Sequence, residues 1–302
     1  MKIGELYKKG FVVSLEIFPP KNGETLDSIM ETLFELTAST KGMPKQYLPQ
    51  YVSVTESKVA NARGGTLQIA ITLGKIFNIE SMAHLICAGK TSQELENKLV
   101  EIKYAGLDNI LALRGDKPAG SNKFYAKKGG YRYASQLIEQ ISNMNKGKYL
   151  NGEGINTDFG IAVAAYPETH PDAKSPIHDL QNLKHKLEKA DFAITQLFFD
   201  MEKYESFIEN AAKIGIIKPI VPGIMVLETY SQLARFEKMN ISVPLNMKNE
   251  IERFKEDARV VKEIGSSYAA KNCSQLMKYA PGLHFYTMNR HAHVRDVFRK
   301  IF

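Results

Sequence analysis

The sequence predicts an α/β fold, a closed (β/α)8 TIM barrel with extra helices before its last strand. Three observations carry this prediction. Eight strand-like runs alternate strictly with helix-like segments. The strand-like runs are almost continuously apolar, as in a parallel sheet covered on both faces. The turn after the first run, "FPPKNGE", lacks the glycine pattern expected of an open, doubly wound sheet that binds a dinucleotide.

The strand-like runs follow in order. "VVSLEIF" starts at 12, "YVSVTES" at 51, "MAHLICA" at 82 and "NILALRGD" at 109. "GIAVAAYP" starts at 160, "FAITQLFF" at 192, "KPIVPGIM" at 218 and "LHFYTMN" at 283. β-Branched and aromatic residues dominate them. The intervening segments have helical spacing: "TLDSIMETLFELTAS", "TLQIAITLGKIFN", "TSQELENKLVEIKYAG", "YASQLIEQISNMN", "PIHDLQNLKHKLEKA", "MEKYESFIENAAKIG", "TYSQLARFEKMN" and "HVRDVFRKIF". The third has an N-cap signal in Thr91 and Ser92 before Glu94 and a glycine stop at Gly106. The fifth starts on proline, which suits the first helical turn. The stretch "VPLNMKNEIERFKEDARVVKEIGSSYAAKNCSQLMKYAPG" is longer than one unit needs, so one or two additional helices are expected there. No low-complexity linker or composition break appears, so residues 1–302 read as one domain.

Composition narrows the class. The 302 residues are 44% hydrophobic and 24% charged, a globular balance. No apolar run reaches the roughly 20 residues of a membrane span. "FVVSLEIFPP" is broken by Glu16 and two prolines, so it is no signal-peptide core, and a cytoplasmic protein is expected. Cys87 and Cys273 offer no disulfide framework and read as reduced and buried. The net charge of +7 is spread along the chain. It shows no arginine-rich arm, so nucleic-acid binding rests on charge alone and is not expected.

The chemistry-bearing residues gather at the carboxyl ends of the runs, the working face of such a barrel. Glu16 sits inside the first. Thr55, His84, Arg114, Asp116, Tyr166, Glu168, His170 and Gln196 follow in or after later runs, and Tyr286, Asn289 and Arg290 close the series. Each has a plainer reading: His84 as a core histidine, Gln196 as a hydrogen-bonded filler, "RGD" as a turn. "HLIC" lacks a second ligand pair for zinc, and no GxSxG or HExxH occurs. A buried Glu16 is paired, protonated or working.

The motifs "SLEIFPP", "VSVT", "HLICAG", "ILALRGDKP", "VAAYPETHPDAKS", "AITQLFFD", "PGIM" and "FYTMNR" come in the order seen in methylenetetrahydrofolate reductases of the bacterial type. The resemblance covers about residues 10 to 300. It implies an FAD-binding barrel that reduces 5,10-methylenetetrahydrofolate to 5-methyltetrahydrofolate with NADH or NADPH, in one-carbon metabolism and methionine supply. It implies small-molecule partners, no membrane, and a homo-oligomer. It also implies a chain ending with the barrel, without the regulatory domain of larger eukaryotic relatives.

Carried over by position, Glu16 matches the catalytic glutamate. Burial disfavours a charged carboxylate, so a buried carboxyl can deliver a proton to the departing nitrogen of the methylene bridge. The resemblance places Asp116 near flavin and pterin, where its charge lowers the flavin potential and steadies a cationic intermediate of the folate. Gln196 matches the glutamine that contacts folate and nicotinamide in turn, which suits a ping-pong cycle. Tyr230 matches an aromatic that stacks on either substrate, and Arg290 an arginine for the folate carboxylate. The FAD contacts carry over as Thr55, His84, Arg114, Gly115 and Asp116, then Tyr133 and Ala134, then Tyr166, His170 and Ala173, and finally Asp179, Asn182 and Lys186.

The chain departs from the pattern where "TESK" replaces "TYGA", placing Glu56 and Lys58 near the expected flavin, where Ile86 replaces a threonine, and where His185 replaces an arginine. Rival readings are a flavin- or folate-binding barrel without turnover that acts as a partner protein, and a flavin barrel resembling proline dehydrogenase. The second does not explain "SLEIFPP" and "AITQLFF" together.

Overall fold

The computed structural model describes residues 1–21, 25–39, 42–56, 65–117 and 124–302. Lys58 lies outside the described residues. The strands are β1 (Val12–Ile17), β2 (Pro49–Val54), β3 (Glu80–Ile86), β4 (Asn109–Leu113), β5 (Lys148–Tyr149), β6 (Gly152–Glu153), β7 (Gly160–Ala165), β8 (Phe192–Leu197), β9 (Ile220–Ile224) and β10 (Gly282–Tyr286). β5 and β6 pair as a separate antiparallel hairpin, while the other eight close into a parallel barrel in chain order, with β10 paired to β1. All eight predicted strands are present.

Side chains alternate across each strand. On β1, Val13, Leu15 and Ile17 face outward into the layer between sheet and helices. Val12 joins an inner cluster with Tyr51, Met82, Leu111, Phe192 and Val221 near the amino ends of the strands. Ile3 and Tyr7, from and before α1 (Gly4–Lys9), belong to the same cluster and plug that end of the barrel. The sequence did not announce α1, because six residues carry no helical repeat; burial of Tyr7 holds it.

The outer helices are α2 (Asp27–Ser39), α3 (Thr66–Phe77), α4 (Ser92–Tyr104), α5 (Ala134–Met144), α6 (Pro176–Leu187), α7 (Met201–Lys213), α8 (Ser231–Lys238), α9 (Leu245–Arg253), α10 (Ala258–Leu276) and α11 (Ala292–Ile301). The stop and start signals act as read. Thr91 and Glu94 form a reciprocal capping box on α4, and Gly106 ends that helix with φ +78°. Ser175 caps α6 ahead of Pro176. The long stretch before the last strand supplies α9 and α10. Met247, Ile251, Val261 and Ile264 from these two helices pack on Leu233 and Phe236 of α8 as a separate apolar cluster beside the barrel mouth. Cys87 and Cys273 are free and buried. Among the described residues, no helix is long and apolar enough to cross a membrane.

Candidate active site

The carboxyl ends of the strands form two neighbouring arcs. The first is built by β1, β8, β9 and β10 and surrounds a cavity of about 580 Å³. Glu16, Lys21, Gln196, Arg235 and Asn289 are among its polar lining, and Leu197, Met225, Phe236, Met239 and Met288 form much of its apolar wall. The second arc, from β2 through β7, carries most residues expected to hold FAD.

Glu16 is 7% exposed. No hydrogen-bond donor among the described residues reaches its carboxylate. Instead, His84 Nε2 lies 3.7 Å and His284 Nε2 3.8 Å from the same oxygen, Oε2. Both Nε2 atoms are buried and without a hydrogen-bond partner. These distances exceed a hydrogen bond, yet in a buried site they allow strong charge coupling. Burial pulls the His84 pKa down to about 4, so its imidazole is neutral. Ser14 Oγ lies 2.8 Å from His284 Nδ1 and 3.4 Å from the Leu283 carbonyl. The Ser14 hydroxyl can donate along either contact; donation along the shorter one would leave the His284 proton on Nε2, facing Glu16. Among the described residues, Glu16 is thus paired with neither arginine nor lysine; its neighbours are two imidazoles.

The backbone around Glu16 is gripped from β10. The Thr287 hydroxyl donates to the Glu16 carbonyl at 2.6 Å. Asn289 accepts from the Phe18 N–H at 2.8 Å and donates to the Phe18 carbonyl at 2.7 Å. Met288 and Asn289 adopt left-handed backbone, φ +52° and +56°, to bring that amide across. Tyr286 lines the cavity and donates to the Thr195 carbonyl at 2.7 Å. Gln196 Oε1 accepts from the Leu197 N–H at 3.0 Å. That bond leaves its amide nitrogen to offer.

On the other arc, Arg114 reaches Asp172 at 2.8 Å and stacks over Phe124 at 4.8 Å. Lys117 pairs with the same carboxylate, and together the two cations hold the Asp172 pKa down to about 2. Gly115 has φ +88°, and a Cβ there would fall 2.3 Å from Ile86 Cγ2. Bare backbone is therefore required beside β3. Tyr166 and His170 meet edge to face at 4.6 Å. Burial lifts the Tyr166 pKa to about 12, with Asp179 and Asp116 adding to the shift. Asp179 accepts from the His170 N–H at 2.8 Å, and Ala173 N–H donates to the His170 carbonyl at 2.8 Å. Lys186 donates to the Ala164 carbonyl at 2.6 Å, and burial pulls its pKa down to about 8. Thr55 N–H donates to the Ile17 carbonyl at 2.9 Å, joining β2 to β1. Asp116 is exposed just beyond β4 and is not among the residues lining the cavity.

Other expected residues stand farther out. Tyr133 is 53% exposed ahead of α5, beside Ala134, with Arg132 over its ring. Asn182 is exposed and bonds His178. Tyr230 does not line the cavity; its ring lies under Lys255 at 5.7 Å. Arg290 is engaged internally, 2.7 Å from Glu228.

Two departures from the pattern make ion pairs within the chain. Glu56 accepts from the Ile86 N–H at 2.5 Å and pairs with Lys90 at 2.9 Å, strapping the end of β2 to β3. His185 faces a separate groove on the outer surface with Glu139 and Tyr149 and pairs with Glu188 at 3.2 Å.

Sequence reasoning missed Ser14 and His284. Each lies two residues before a noted rim residue, Glu16 and Tyr286, so the period-two rule puts each on the same inner face.

A family model described as methylenetetrahydrofolate reductase matches residues 2–301. The chain belongs to the methylenetetrahydrofolate reductase family. Within that family, the 5,10-methylenetetrahydrofolate reductase of Escherichia coli (strain K12) is 33% identical over 281 residues, covering 92% of this chain and 86% of that protein. The probable methylenetetrahydrofolate reductase (NADH) of Oryza sativa subsp. japonica is 33% identical over 292 residues, covering 92% of this chain and 46% of that protein. The chain spans about half the length of the curated plant and yeast family members it matches. Among solved structures, an uncharacterized protein from Clostridium thermocellum, described as binding two copies of 5-methyl-5,6,7,8-tetrahydrofolic acid, has TM-score 0.61 at 11% identity, covering 100% of this chain and 98% of that one. At that identity the likeness shows the fold.

Proposed function

We propose that this chain reduces 5,10-methylenetetrahydrofolate to 5-methyltetrahydrofolate, with NADH or NADPH as reductant and FAD as carrier, in a ping-pong cycle. Family membership supports the reaction class. The folate described for the Clostridium thermocellum protein suits the same barrel. The observation that carries the reading is Glu16, a carboxyl buried beside two imidazoles at a cavity shared with Gln196.

The second arc fits the flavin dinucleotide. Arg114 and Lys186 offer cations for phosphate, Asp179 and Asn182 polar atoms for ribose, and Tyr166 with His170 ring surface. Gly115 lets the chain after β4 pass close to Ile86, where a side chain would clash. Bound FAD would supply hydride transfer between nicotinamide and folate. The chain's own residues act on the folate. Glu16 gives its proton to the nitrogen released when the methylene bridge opens; the carbon–nitrogen bond breaks and a carbon–hydrogen bond forms at the methylene carbon. His284 and His84 then face the charge left on Oε2. Gln196 offers its amide to whichever substrate occupies the cavity, and Asp116 opposes the transient positive charge on the folate.

Anaerobic stopped-flow tests the reading. NADH is expected to bleach the flavin absorbance, and methylenetetrahydrofolate to restore it. Bleaching without recovery would instead favour a binding barrel without turnover.

Lys186 makes a pH-dependent contribution. Its protonated form binds phosphate, and its pKa sits at about 8 rather than the usual 10.5. FAD affinity is therefore expected to fall as pH rises through about 8, read by flavin fluorescence titration. Lys186→Met should flatten that dependence.

A further inference from the structure

We infer that Arg235, not Arg290, is the cation that receives the anionic tail of the substrate in this chain. The assignment rests on the folate reading above and names a contact within it.

The cavity is polarised. Among the described residues, the buried Glu16 supplies its only acidic lining, while Lys21 and Arg235, both exposed, supply its cations. A ligand carboxylate is drawn toward these cations. Phe236, Met239 and Met288 offer apolar wall. The occupant this suits has a polar hydrogen-bonding head, an apolar middle and a terminal carboxylate.

Arg290 is poorly placed to be the main anchor for that carboxylate. Its guanidinium lies 2.7 Å from Glu228, whose side chain is only 11% exposed. Glu228 is held in place from two sides. Its N–H donates to Gln232 Oε1 at 2.6 Å. The preceding carbonyl, of Leu227, lies where a Cβ on Gly265 would come within 1.8 Å, so α10 presses directly on this backbone. A second carboxylate arriving at Arg290 meets the charge of Glu228 and must share one guanidinium with it.

Arg235 differs on each count. It lines the cavity itself, and its guanidinium has no ion pair or hydrogen bond among the described residues. The neighbouring Phe236 is 1% exposed and anchors α8, so the backbone carrying Arg235 is fixed while its side chain is available. A guanidinium of this kind can bind a carboxylate in bidentate fashion.

Calorimetric titration of the full chain with 5-methyltetrahydrofolate and with its bis-amide, in which both tail carboxylates are neutralised, tests this. The wild-type chain is expected to bind the acid about tenfold more tightly than the amide, the scale of a hydrogen bond between charged groups. Arg235→Gln should remove most of that preference, and Arg290→Gln should keep most of it. Arg235 is exposed, so its replacement leaves the fold intact. The inference is overturned if Arg235→Gln discriminates as the wild type does, or if Arg290→Gln abolishes the preference. A wild-type chain that binds neither ligand overturns the folate reading itself, and this assignment with it.

Discussion

Glu16→Gln is expected to slow folate reduction by about a thousandfold, the scale of a lost general acid. Flavin reduction by the nicotinamide should change little, because that half of the cycle takes no proton from Glu16. The replacement is nearly isosteric, and the groups that fix this part of β1 act on backbone: Thr287 on the Glu16 carbonyl, Asn289 on both polar groups of Phe18. Geometry should therefore survive while acidity is lost. The two half-reactions, followed separately by flavin absorbance, give the check. Equal survival of both would remove Glu16 from the chemistry.

The same geometry implies a smaller, graded effect at Ser14. Its hydroxyl lies 2.8 Å from His284 Nδ1, and if it donates along that contact it selects the tautomer that presents an N–H to Glu16. Ser14→Ala removes that preference without touching the substrate cavity. Folate reduction should fall about tenfold, with a displaced pH profile and an unchanged nicotinamide half-reaction. A rate loss with an unmoved profile would mean that Ser14 only fills space.

How far the site could be read in advance depends on the distance over which each feature is determined. Glu16 was legible because an acid in "VVSLEIF" contradicts its surroundings. The barrel was legible because alternation of apolar strands and amphipathic helices is a local property repeated eight times. His284 was legible in principle, two residues before Tyr286 on the same inner face, but a histidine in an apolar run is a weaker contradiction than a carboxylate. The Glu228–Arg290 pair was not legible. It depends on the loop after β9 meeting the turn after β10, and no periodicity in either segment encodes the other. Tyr230 shows the same limit. Its sequence position does not encode the contact that its ring, at the start of α8, makes with Lys255. The short α1 was missed for a different reason. Its stability comes from burying Tyr7 against the barrel floor, where the ring lies 4.9 Å from Phe192, not from its own six residues.

Gly265→Ala should destabilise the protein, against the usual sign for such a change. Gly265 lies within α10, where alanine is ordinarily preferred by about 1 kcal/mol. Here a Cβ would fall 1.8 Å from the Leu227 carbonyl oxygen and 2.8 Å from its carbon. The obstacle is backbone, so no rotamer change relieves it, and either α10 or the loop after β9 must move. Overpacking of this kind costs about 1–3 kcal/mol when side chains yield, and rigid backbone puts this case at or above the upper end. The steric term outweighs propensity, and a fall in melting temperature of roughly 5 °C or more is expected by calorimetry. Ser274→Ala, on the exposed face of the same helix, isolates propensity and should leave the melting temperature unchanged or slightly higher. The displacement has a second consequence. Leu227 precedes Glu228, so moving this backbone loosens the carboxylate that occupies Arg290. Gly265→Ala should therefore free Arg290 and strengthen its share in binding a carboxylate ligand, even as the fold weakens. Loss of stability with no change in the ligand preference of an Arg235→Gln background would show that the loop absorbs the clash without moving Glu228.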